Sequence, residues 1–321
     1  MKHLFIINPA AQYVVGRVAE IRAEIETCFS PYPQLAYDIH VTRWQRDAVG
    51  FIKRYCQAAS DLVRIYAVGG VGTLFEVING AMEMPNVQVA CCLGDGDDAF
   101  ICSPGGRRPR LFDAIGDLVF ARVMPVDVIR CGNNGYALAF SLFGAEATIS
   151  HLGSELARRY RAAAGICHLY AGLSSLLWRG AEQRYSILLD GDIRLDGEYL
   201  GALIANYSCH GRSLNSSADA SPSDGALDLY LWKQVPRIGG VKIAVDYARG
   251  HCRAWPEYIQ HYRFRRMTLQ SGDLIATSLD GEFSYQTEME YEVLPCALDF
   301  VCPENVDLET HFSPLAGQGE E

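Results

Sequence analysis

The residues with the clearest chemical potential form a glycine-rich segment at 69–73, which reads Gly-Gly-Val-Gly-Thr. An apolar run precedes it and a helical pattern follows, so the segment is predicted to be a strand-to-helix turn. Glycines at such a turn let the backbone approach a phosphate closely, and the helix N-terminus supplies free N–H donors and a positive dipole end. The spacing fits neither the P-loop nor the Rossmann pattern. The segment predicts a phosphate site, with a tightly packed structural turn as the alternative.

Carboxylates beside glycine form a second group of candidates. The triplet Asp-Gly-Glu occurs at 196–198 and again at 280–282, and residues 224–228 read Asp-Gly-Ala-Leu-Asp. Carboxylates can accept a proton from a hydroxyl, and their oxygens suit Mg²⁺. We interpret the triplet at 196–198 as a hairpin turn between strands. Asp224 and Asp228 could hold a structural cation, or they could belong to a simple turn at 221–225.

The first third of the chain alternates predicted strands and helices. The strands are expected at 3–8, 36–42, 63–68 and 87–93, and the helices at 14–29, 45–58 and about 74–82. Strands that alternate with helices of this length imply a parallel sheet with crossover helices.

The pattern changes at Pro125. Asn-Gly within 132–135 separates two alternating runs and predicts a hairpin. Helical patterning is expected at roughly 151–180 and 237–248. The remaining predicted strands are 184–190, 199–207, 226–232, 264–270, 273–279, 284–294 and 297–302. The predicted fold is therefore a Rossmann-like α/β N-terminal domain, residues 1–124, followed by a β-sandwich domain, residues 125–305, and a tail, residues 306–321.

The amino-acid composition and net charge limit the partners and the cellular compartment that we expect. The 321 residues are 49% apolar and 21% charged, which is typical of globular domains. The net charge of −10 argues against nucleic-acid binding, and it gives no general attraction to anionic membranes. Eleven cysteines without zinc spacing favour a reducing compartment. No apolar stretch approaches the ~20 residues that span a bilayer. We expect a cytoplasmic protein that works peripherally at the membrane surface.

Several motifs, in order along the chain, resemble the diacylglycerol kinase and sphingosine kinase family of bacterial-type lipid kinases. Residues 69–80 read Gly-Gly-Val-Gly-Thr-Leu-Phe-Glu-Val-Ile-Asn-Gly, close to the family's Gly-Gly-Asp-Gly-Thr-Leu-Asn-Glu-Val-x-Asn-Gly. Ile7-Asn8-Pro9 resembles its opening motif, and 93–98 resembles its Leu-Gly-Thr-Gly-Asn-Asp loop. Residues 224–228 and 279–282 match its Asp-Gly-x-Leu-Asp and Leu-Asp-Gly-Glu segments.

The resemblance implies an ATP- and Mg²⁺-dependent kinase that phosphorylates a hydroxyl of diacylglycerol or a related lipid at the membrane surface. Asp280 would be the general base, and Glu282 would lie beside the nucleotide or its magnesium. Asp224 and Asp228 would hold a metal. ATP is expected in a cleft between the two domains, and a homodimer is left open. The nucleotide would be bound by Asn8, Pro9, Gly69, Gly70, Gly72, Thr73, Glu76, Gly94, Asp95, Gly96, Asp97 and Asp98.

Three residues depart from the family pattern in these loops. Val71 replaces an aspartate, Asp95 a threonine and Asp97 an asparagine. A valine cannot hold a cation, and an ionised Asp95 would repel a triphosphate unless a cation intervenes. Asp95, Asp97 and Asp98 could instead recruit Mg²⁺. Two alternatives to an active lipid kinase therefore stay open: a catalytically impaired member that binds lipid or nucleotide, and an enzyme that resembles NAD kinase.

The segment 167–179 is the candidate for lipid contact. It is rich in leucine and carries Tyr170 and Trp178, residue types favoured at membrane interfaces. A core helix beneath the sandwich is the alternative interpretation.

Overall fold

The structure is a computed structural model, and it divides the chain into two units. It describes residues 1–11, 14–92, 115–160, 182–207, 217, 219–236, 240–249 and 251–302. In this described part, the first unit comprises residues 1–127 and 296–302, and the second comprises residues 128–295. The chain therefore returns to the first unit after completing the second, a return that the sequence pattern does not reveal.

The first unit is built on a parallel sheet. Its strands are β1 (Lys2–Ile7), β2 (Ala36–Val41), β3 (Val63–Val68) and β4 (Val87–Cys92). Their spatial order is β2-β1-β3-β4, and the returning residues Asp299 and Phe300 pair in parallel with the far side of β4. All six residues of β3 are buried, as expected for a parallel strand covered on both faces. Its one charged residue, Arg64, donates to the Gln88 side chain and to the carbonyls of Leu118 and Val119.

The described residues of this unit form four helices. They are α1 (Val18–Phe29), α2 (Asp47–Ala58), α3 (Val71–Ala81) and α4 (Ile115–Val119). Buried residues recur at helical spacing, as Ile21, Ile25 and Phe29 do on α1. The α2 and α3 helices pack tightly, because a Cβ atom added at Gly80 would lie 2.9 Å from the Cβ atom of Ile52.

The second unit is mostly antiparallel. It begins within β5 (Arg122–Cys131) and ends within the long strand β14 (Glu282–Cys302). Its other strands are β6 (Tyr136–Ala137), β7 (Phe140–Gly144), β8 (Gln183–Leu189), β9 (Ile193–Tyr199), β10 (Gly201–Ala205), β11 (Leu227–Trp232), β12 (Ile259–Phe264) and β13 (Arg266–Leu279). The α-helices among its described residues are α5 (Ala145–Tyr160) and α6 (Gly240–Ala248).

The strand order in the second unit is β12-β11-β10-β7-β13-β14, and β8 joins β13 with β9 beyond it. The predicted hairpin around 132–135 is confirmed, because Ile129 pairs with Ala137 in β5 and β6. A register shift between Gln270 and Ile275 unites two predicted strands as β13.

The interpretation of Asp196-Gly197-Glu198 as a hairpin turn is wrong. These residues lie inside β9, where Asp196 pairs with Ser186 of β8. The turn lies earlier, at Asp190 and Gly191, where φ is +51° and +85°. Asp196 accepts hydrogen bonds of 2.7 Å from the Ser186 hydroxyl and the Arg194 guanidinium, which lower its pKa. This triplet therefore occupies an exposed strand position with local partners.

Within the described ranges, no helix has the length and apolar character needed to cross a membrane.

Candidate functional site

The glycine-rich segment forms the turn between β3 and α3. Gly69 follows β3 and donates its N–H to the Cys92 carbonyl at 3.3 Å. Gly70 is the N-cap of α3, with extended backbone and no side-chain cap. Position 69 has no room for a side chain, because a Cβ atom there would lie 2.4 Å from the Thr73 hydroxyl oxygen. The predicted strand-to-helix turn is thus present.

Asn8 connects this turn to the end of β1. Its side-chain amide donates to the Thr73 hydroxyl at 3.1 Å, and its backbone N–H donates to the Val68 carbonyl at 3.0 Å. Its side-chain oxygen accepts from the Ala10 N–H at 3.0 Å. The structure therefore brings together Asn8 and the glycine segment, which are 61 or more positions apart in sequence. Thr73 is buried and uses its hydroxyl inside the protein.

The N-terminus of α3 is suited to an anion. Gly72 is exposed, Gly70 and Val71 are half-buried, and the first turn of α3 carries no acidic residue. The first N–H groups of a helix have no partner within it, and the helix dipole adds positive charge there. Pro9 is also exposed on this unit. A phosphate could therefore bind at this helix end without meeting a carboxylate from the helix itself.

Glu76 has a structural task in the same unit. Its two carboxylate oxygens accept from the N–H groups of Arg46 at 2.8 Å and Ala48 at 3.3 Å, at the start of α2. These are N–H groups that a helix N-terminus leaves unsatisfied. Glu76 therefore couples α3 to α2, and its contact with a nucleotide stays a prediction.

Asp280 occupies the turn that joins β13 to β14 in the second unit. Asp280 and Gly281 both have positive φ, +46° and +92°, as a two-residue hairpin turn requires. The carboxylate is turned inward, and the residue is only 4% exposed. One oxygen accepts from the N–H groups of Ala139 at 3.0 Å and Phe140 at 2.9 Å, and the other accepts from the Leu138 N–H at 2.5 Å.

The electrostatics of Asp280 suit a base that works near neutral pH. Burial raises the pKa of its carboxyl to about 6, and the hydrogen bonds from Leu138, Phe140 and Ala139 limit that rise. The group is ionised at pH 7 yet close to its own pKa, which is favourable for proton transfer. A carboxylate offers about four acceptor positions, so three N–H groups leave one for a hydroxyl. Glu282, two residues on, is half-buried.

Asn206 is a buried residue near Asp280 whose role the sequence does not indicate. Its side-chain amide donates to the Leu138 carbonyl at 2.8 Å, and its backbone N–H donates to the Ala139 carbonyl at 2.9 Å. The N–H groups of the same two residues serve Asp280. Asn206 therefore fixes the segment that positions the candidate base.

Asp224 and Asp228 are linked by a shared partner, Arg263. The Arg263 guanidinium approaches Asp224 at 2.5 Å and Asp228 at 3.9 Å. Asp228 is fully buried, and His261 contacts one of its oxygens at 2.6 Å. Its other oxygen has no hydrogen-bond partner among the described residues. In the described ranges, no group of three or more His, Cys, Asp or Glu side chains is arranged to hold a metal.

Two predicted segments lie outside the described residues. They are the second nucleotide loop, with Gly94, Asp95, Gly96, Asp97 and Asp98, and the lipid-contact segment 167–179.

The second unit carries a family signature. Residues 142–302 match the family model described as the YegS C-terminal NAD kinase beta sandwich-like domain. The chain belongs to this family. The YegS-type match covers half of the chain and includes Asp224, Asp228, Asp280 and Glu282. The resemblance to bacterial-type lipid kinases is confirmed.

Relatives extend the similarity of this YegS-type chain into the first unit. A Staphylococcus aureus (strain JH9) protein named "Putative lipid kinase" is 26% identical over 262 residues, which cover 78% of this chain and 83% of the relative. Two solved Bacillus anthracis str. Sterne structures share the fold. One, named "a putative diacylglycerol kinase", has a TM-score of 0.72 at 22% identity and covers 95% of this chain and 96% of its own. The other, named a diacylglycerol kinase, has a TM-score of 0.70 at 21% identity, with coverage of 95% and 98%. The predicted fold class, a nucleotide-binding-type α/β domain followed by a β-sandwich domain, is confirmed.

Proposed function

We propose that this protein is an ATP- and Mg²⁺-dependent lipid kinase that phosphorylates the hydroxyl of diacylglycerol or a related lipid. The observation that carries the proposal is the buried Asp280 carboxylate, held by three backbone N–H groups with a pKa of about 6. Phosphoryl transfer needs positioning, charge neutralisation and a carboxylate to take the hydroxyl proton. Membership of the YegS-type family and the name of the Staphylococcus aureus relative support the lipid as acceptor.

In this proposal the first unit holds ATP. The N–H groups at the start of α3 would bind phosphate oxygens, and Asn8 would keep the turn closed through Thr73. Gly94, Asp95, Gly96, Asp97 and Asp98 would complete nucleotide binding, as the family resemblance implies. The substrate oxygen would attack the γ-phosphorus, ADP would leave, and the hydroxyl proton would pass to Asp280.

Magnesium, when bound, would offset the charge of the transferred phosphoryl group. The Asp228 oxygen that lacks a described partner could hold a cation. The Asp224 carboxylate, which accepts from the Ala226 N–H and from Arg263, would supply the second acidic ligand. Arg263 competes for both carboxylates, since it pairs with each of them. In the proposal, Asp224 and Asp228 form a supporting metal site in the second unit, and a bound cation would take the place of Arg263. Glu282 would lie beside the nucleotide or its magnesium.

The pH dependence of turnover tests the role of Asp280. Below a pH of about 6 the carboxyl is protonated and cannot accept a proton, so turnover should fall about tenfold for each further pH unit. The raised pKa also means that the folded state binds this proton more tightly than the unfolded state. The corresponding stability is complete below about pH 4 and is lost as pH rises through about 6. Steady-state assays at saturating ATP between pH 5 and 8 would measure the first effect. A flat profile over that range would contradict the assignment.

Restoring a carboxylate in the glycine segment should increase activity. Val71 is the first residue of α3, and every glycine around it is kept. Val71→Asp is expected to raise Mg²⁺-dependent ATP affinity or turnover on the order of tenfold, because it returns a cation ligand beside the phosphates. Val71→Asn is the matched control, with similar size and no charge. Titration with ATP, with and without Mg²⁺, would separate cation recruitment from a change in the helix end.

The altered glycine segment also favours a second candidate, a binding protein of the same fold without turnover. Val71 cannot hold a cation, and this alone distinguishes the segment from the active family pattern. The deciding experiment is transfer of labelled phosphate from ATP to diacylglycerol in mixed micelles, with and without Mg²⁺. Transfer that requires Mg²⁺ supports the kinase. Tight ATP binding without any transfer would favour the binding protein.

A further inference from the structure

The start of α2 in the first unit concentrates positive charge in an acidic chain. Residues 43–54 contain four basic residues and one acidic residue, whereas the whole chain carries a net charge of −10. Arg46 precedes the helix, and Lys53 and Arg54 follow at seven and eight positions, so all three lie on one helical face. The opposite face carries the buried residues Ala48, Ile52 and Cys56. We call Arg43, Arg46, Lys53 and Arg54 the basic face.

The basic face is unpaired. Several other arginines in the described ranges bind carboxylates, as Arg194 binds Asp196 and Arg263 binds Asp224. In the same ranges, none of the four side chains of the basic face forms an ion pair or a hydrogen bond. Two carboxylates lie at this helix start, and both have other partners. Asp47 contacts His40 at 3.1 Å and accepts from the Arg43 N–H at 3.0 Å, and Glu76 accepts from the N–H groups of Arg46 at 2.8 Å and Ala48 at 3.3 Å. The positive charge is therefore available to a partner.

Trp44 adds an apolar anchor to this face. It lies between Arg43 and Arg46 and is 64% exposed, which is unusual for the largest side chain. Tryptophan beside basic residues is favoured at the boundary between lipid headgroups and acyl chains. A partner that is negatively charged outside and apolar beneath would satisfy both features.

The backbone that presents Trp44 is fixed. Arg46 is held at φ +65°, a left-handed conformation that is uncommon for a residue with a side chain. Glu76 accepts from its N–H at 2.8 Å, and Asp47 accepts from the N–H of Arg43. The Trp44 carbonyl accepts from the Asp47 N–H at 3.3 Å. The loop is thus tied down at both ends while its side chains are exposed to solvent.

We propose that the basic face and Trp44 form a docking surface for an anionic lipid bilayer. Arg43, Arg46, Lys53 and Arg54 would contact lipid headgroups, and Trp44 would insert at their level. A nucleic acid would use the charge but gives Trp44 no apolar phase, so the membrane is favoured. The inference goes beyond the proposed kinase activity, because it concerns adsorption to the bilayer and requires neither ATP nor turnover.

Vesicle co-sedimentation of the full chain tests the proposal, using phosphatidylcholine vesicles with and without phosphatidylglycerol and no nucleotide. The wild type should bind the mixed vesicles, and added salt should weaken that binding. The triple variant Arg43→Gln, Lys53→Gln, Arg54→Gln should lose about fivefold in partitioning for each residue, or roughly a hundredfold in total. Trp44→Ala should lower binding while salt dependence persists. Arg22→Gln is the matched control, since Arg22 is exposed on α1 of the same unit.

Circular dichroism and thermal melting would confirm that the variants are folded. Wild-type binding that ignores phosphatidylglycerol, or a folded triple variant that binds like the wild type, would overturn the docking surface. A loss of about fivefold in Arg22→Gln, as large as the loss expected for each residue of the basic face, would mean that any surface charge has the same effect and would overturn the docking surface as well. Binding to a duplex RNA but to neither kind of vesicle would assign the face to nucleic acid and also overturn the proposal. Phosphate transfer to diacylglycerol in detergent micelles is measured separately, so the kinase proposal stands or falls independently.

Discussion

Replacing Asp280 with asparagine is expected to lower phosphate transfer at least about 100-fold while ATP binding survives. Asparagine tolerates the positive φ of this position, so the turn should persist. Its amide cannot accept a proton from the substrate hydroxyl. The measurement is the turnover number with diacylglycerol in micelles, alongside an ATP titration followed by intrinsic fluorescence.

The same substitution has a structural cost that must be separated from the chemical one. The amide NH₂ group replaces one of the two oxygens that accept from Leu138, Ala139 and Phe140, so at least one buried N–H loses its partner. Such a loss costs about 1–3 kcal/mol. Removal of a buried charge offsets part of it, because burial already disfavours ionised Asp280. A thermal melt therefore accompanies each assay, and turnover is measured well below the midpoint.

Asp196→Asn is the matched control for Asp280→Asn. Asp196 begins the other Asp-Gly-Glu triplet of the second unit, but it is exposed and bonded to Ser186 and Arg194. Its loss should leave turnover almost unchanged. Equal losses at both positions would mean that the wrong triplet has been assigned or that both act through folding. A folded Asp280→Asn protein with nearly normal turnover would exclude Asp280 as the base.

The parallel unit can be predicted closely because its strands are buried on both faces. The strand Val63–Val68 has the bounds that the sequence predicts, since five of its six residues are apolar and two glycines follow directly. Helix starts are harder to predict. The α1 helix begins at Val18, and Val15, which shares its apolar spacing, is 60% exposed. The α3 helix begins at Val71, ahead of the predicted Leu74, because its N-cap is a glycine without a side-chain signal.

The antiparallel unit is less predictable where strands lie at an edge. The sequence offers Asp-Gly at 190–191 and at 196–197, and only the structure shows which one turns. The β9 strand carries polar residues that face solvent, and β12 ends its sheet, so neither has the apolar run that marks a buried strand. The sequence pattern predicts neither strand for that reason.

The sequence predicts the residues of the candidate site but not the hydrogen-bond partners that position them. Asp280 is identified by motif, yet its partners are backbone N–H groups about 140 positions earlier, which no side-chain pattern encodes. For Glu76, the structure shows a structural role that the sequence does not predict. It is predicted to bind the nucleotide, and the structure gives it two N–H groups of α2 that the sequence could not reveal. Asn206 belongs to the same class, because its bonds to Leu138 and Ala139 reach the backbone of those residues.

Gly69→Ala is expected to weaken ATP binding about tenfold or more and to destabilise the first unit by about 1–3 kcal/mol. The new Cβ atom would lie 2.4 Å from the Thr73 hydroxyl oxygen and 3.3 Å from the Asn8 Cβ atom. Thr73 is buried and cannot move aside freely, so the hydrogen bond from Asn8 to its hydroxyl should break. Isothermal titration with ATP and urea unfolding would measure the two effects.

A double-mutant cycle would show whether this clash is the cause. Thr73→Ala removes the oxygen that would lie 2.4 Å from the added methyl group and leaves only the Cβ contact at 3.0 Å from that residue. Gly69→Ala combined with Thr73→Ala should therefore be less destabilised than the sum of the single variants, by on the order of 1 kcal/mol. Gly272→Ala is the control for glycine replacement as such, because no atom of the described residues lies within 4 Å of its Cβ position. Additive losses in the cycle would mean that Gly69 is needed for another reason, and wild-type ATP affinity in Gly69→Ala would remove this turn from the nucleotide site.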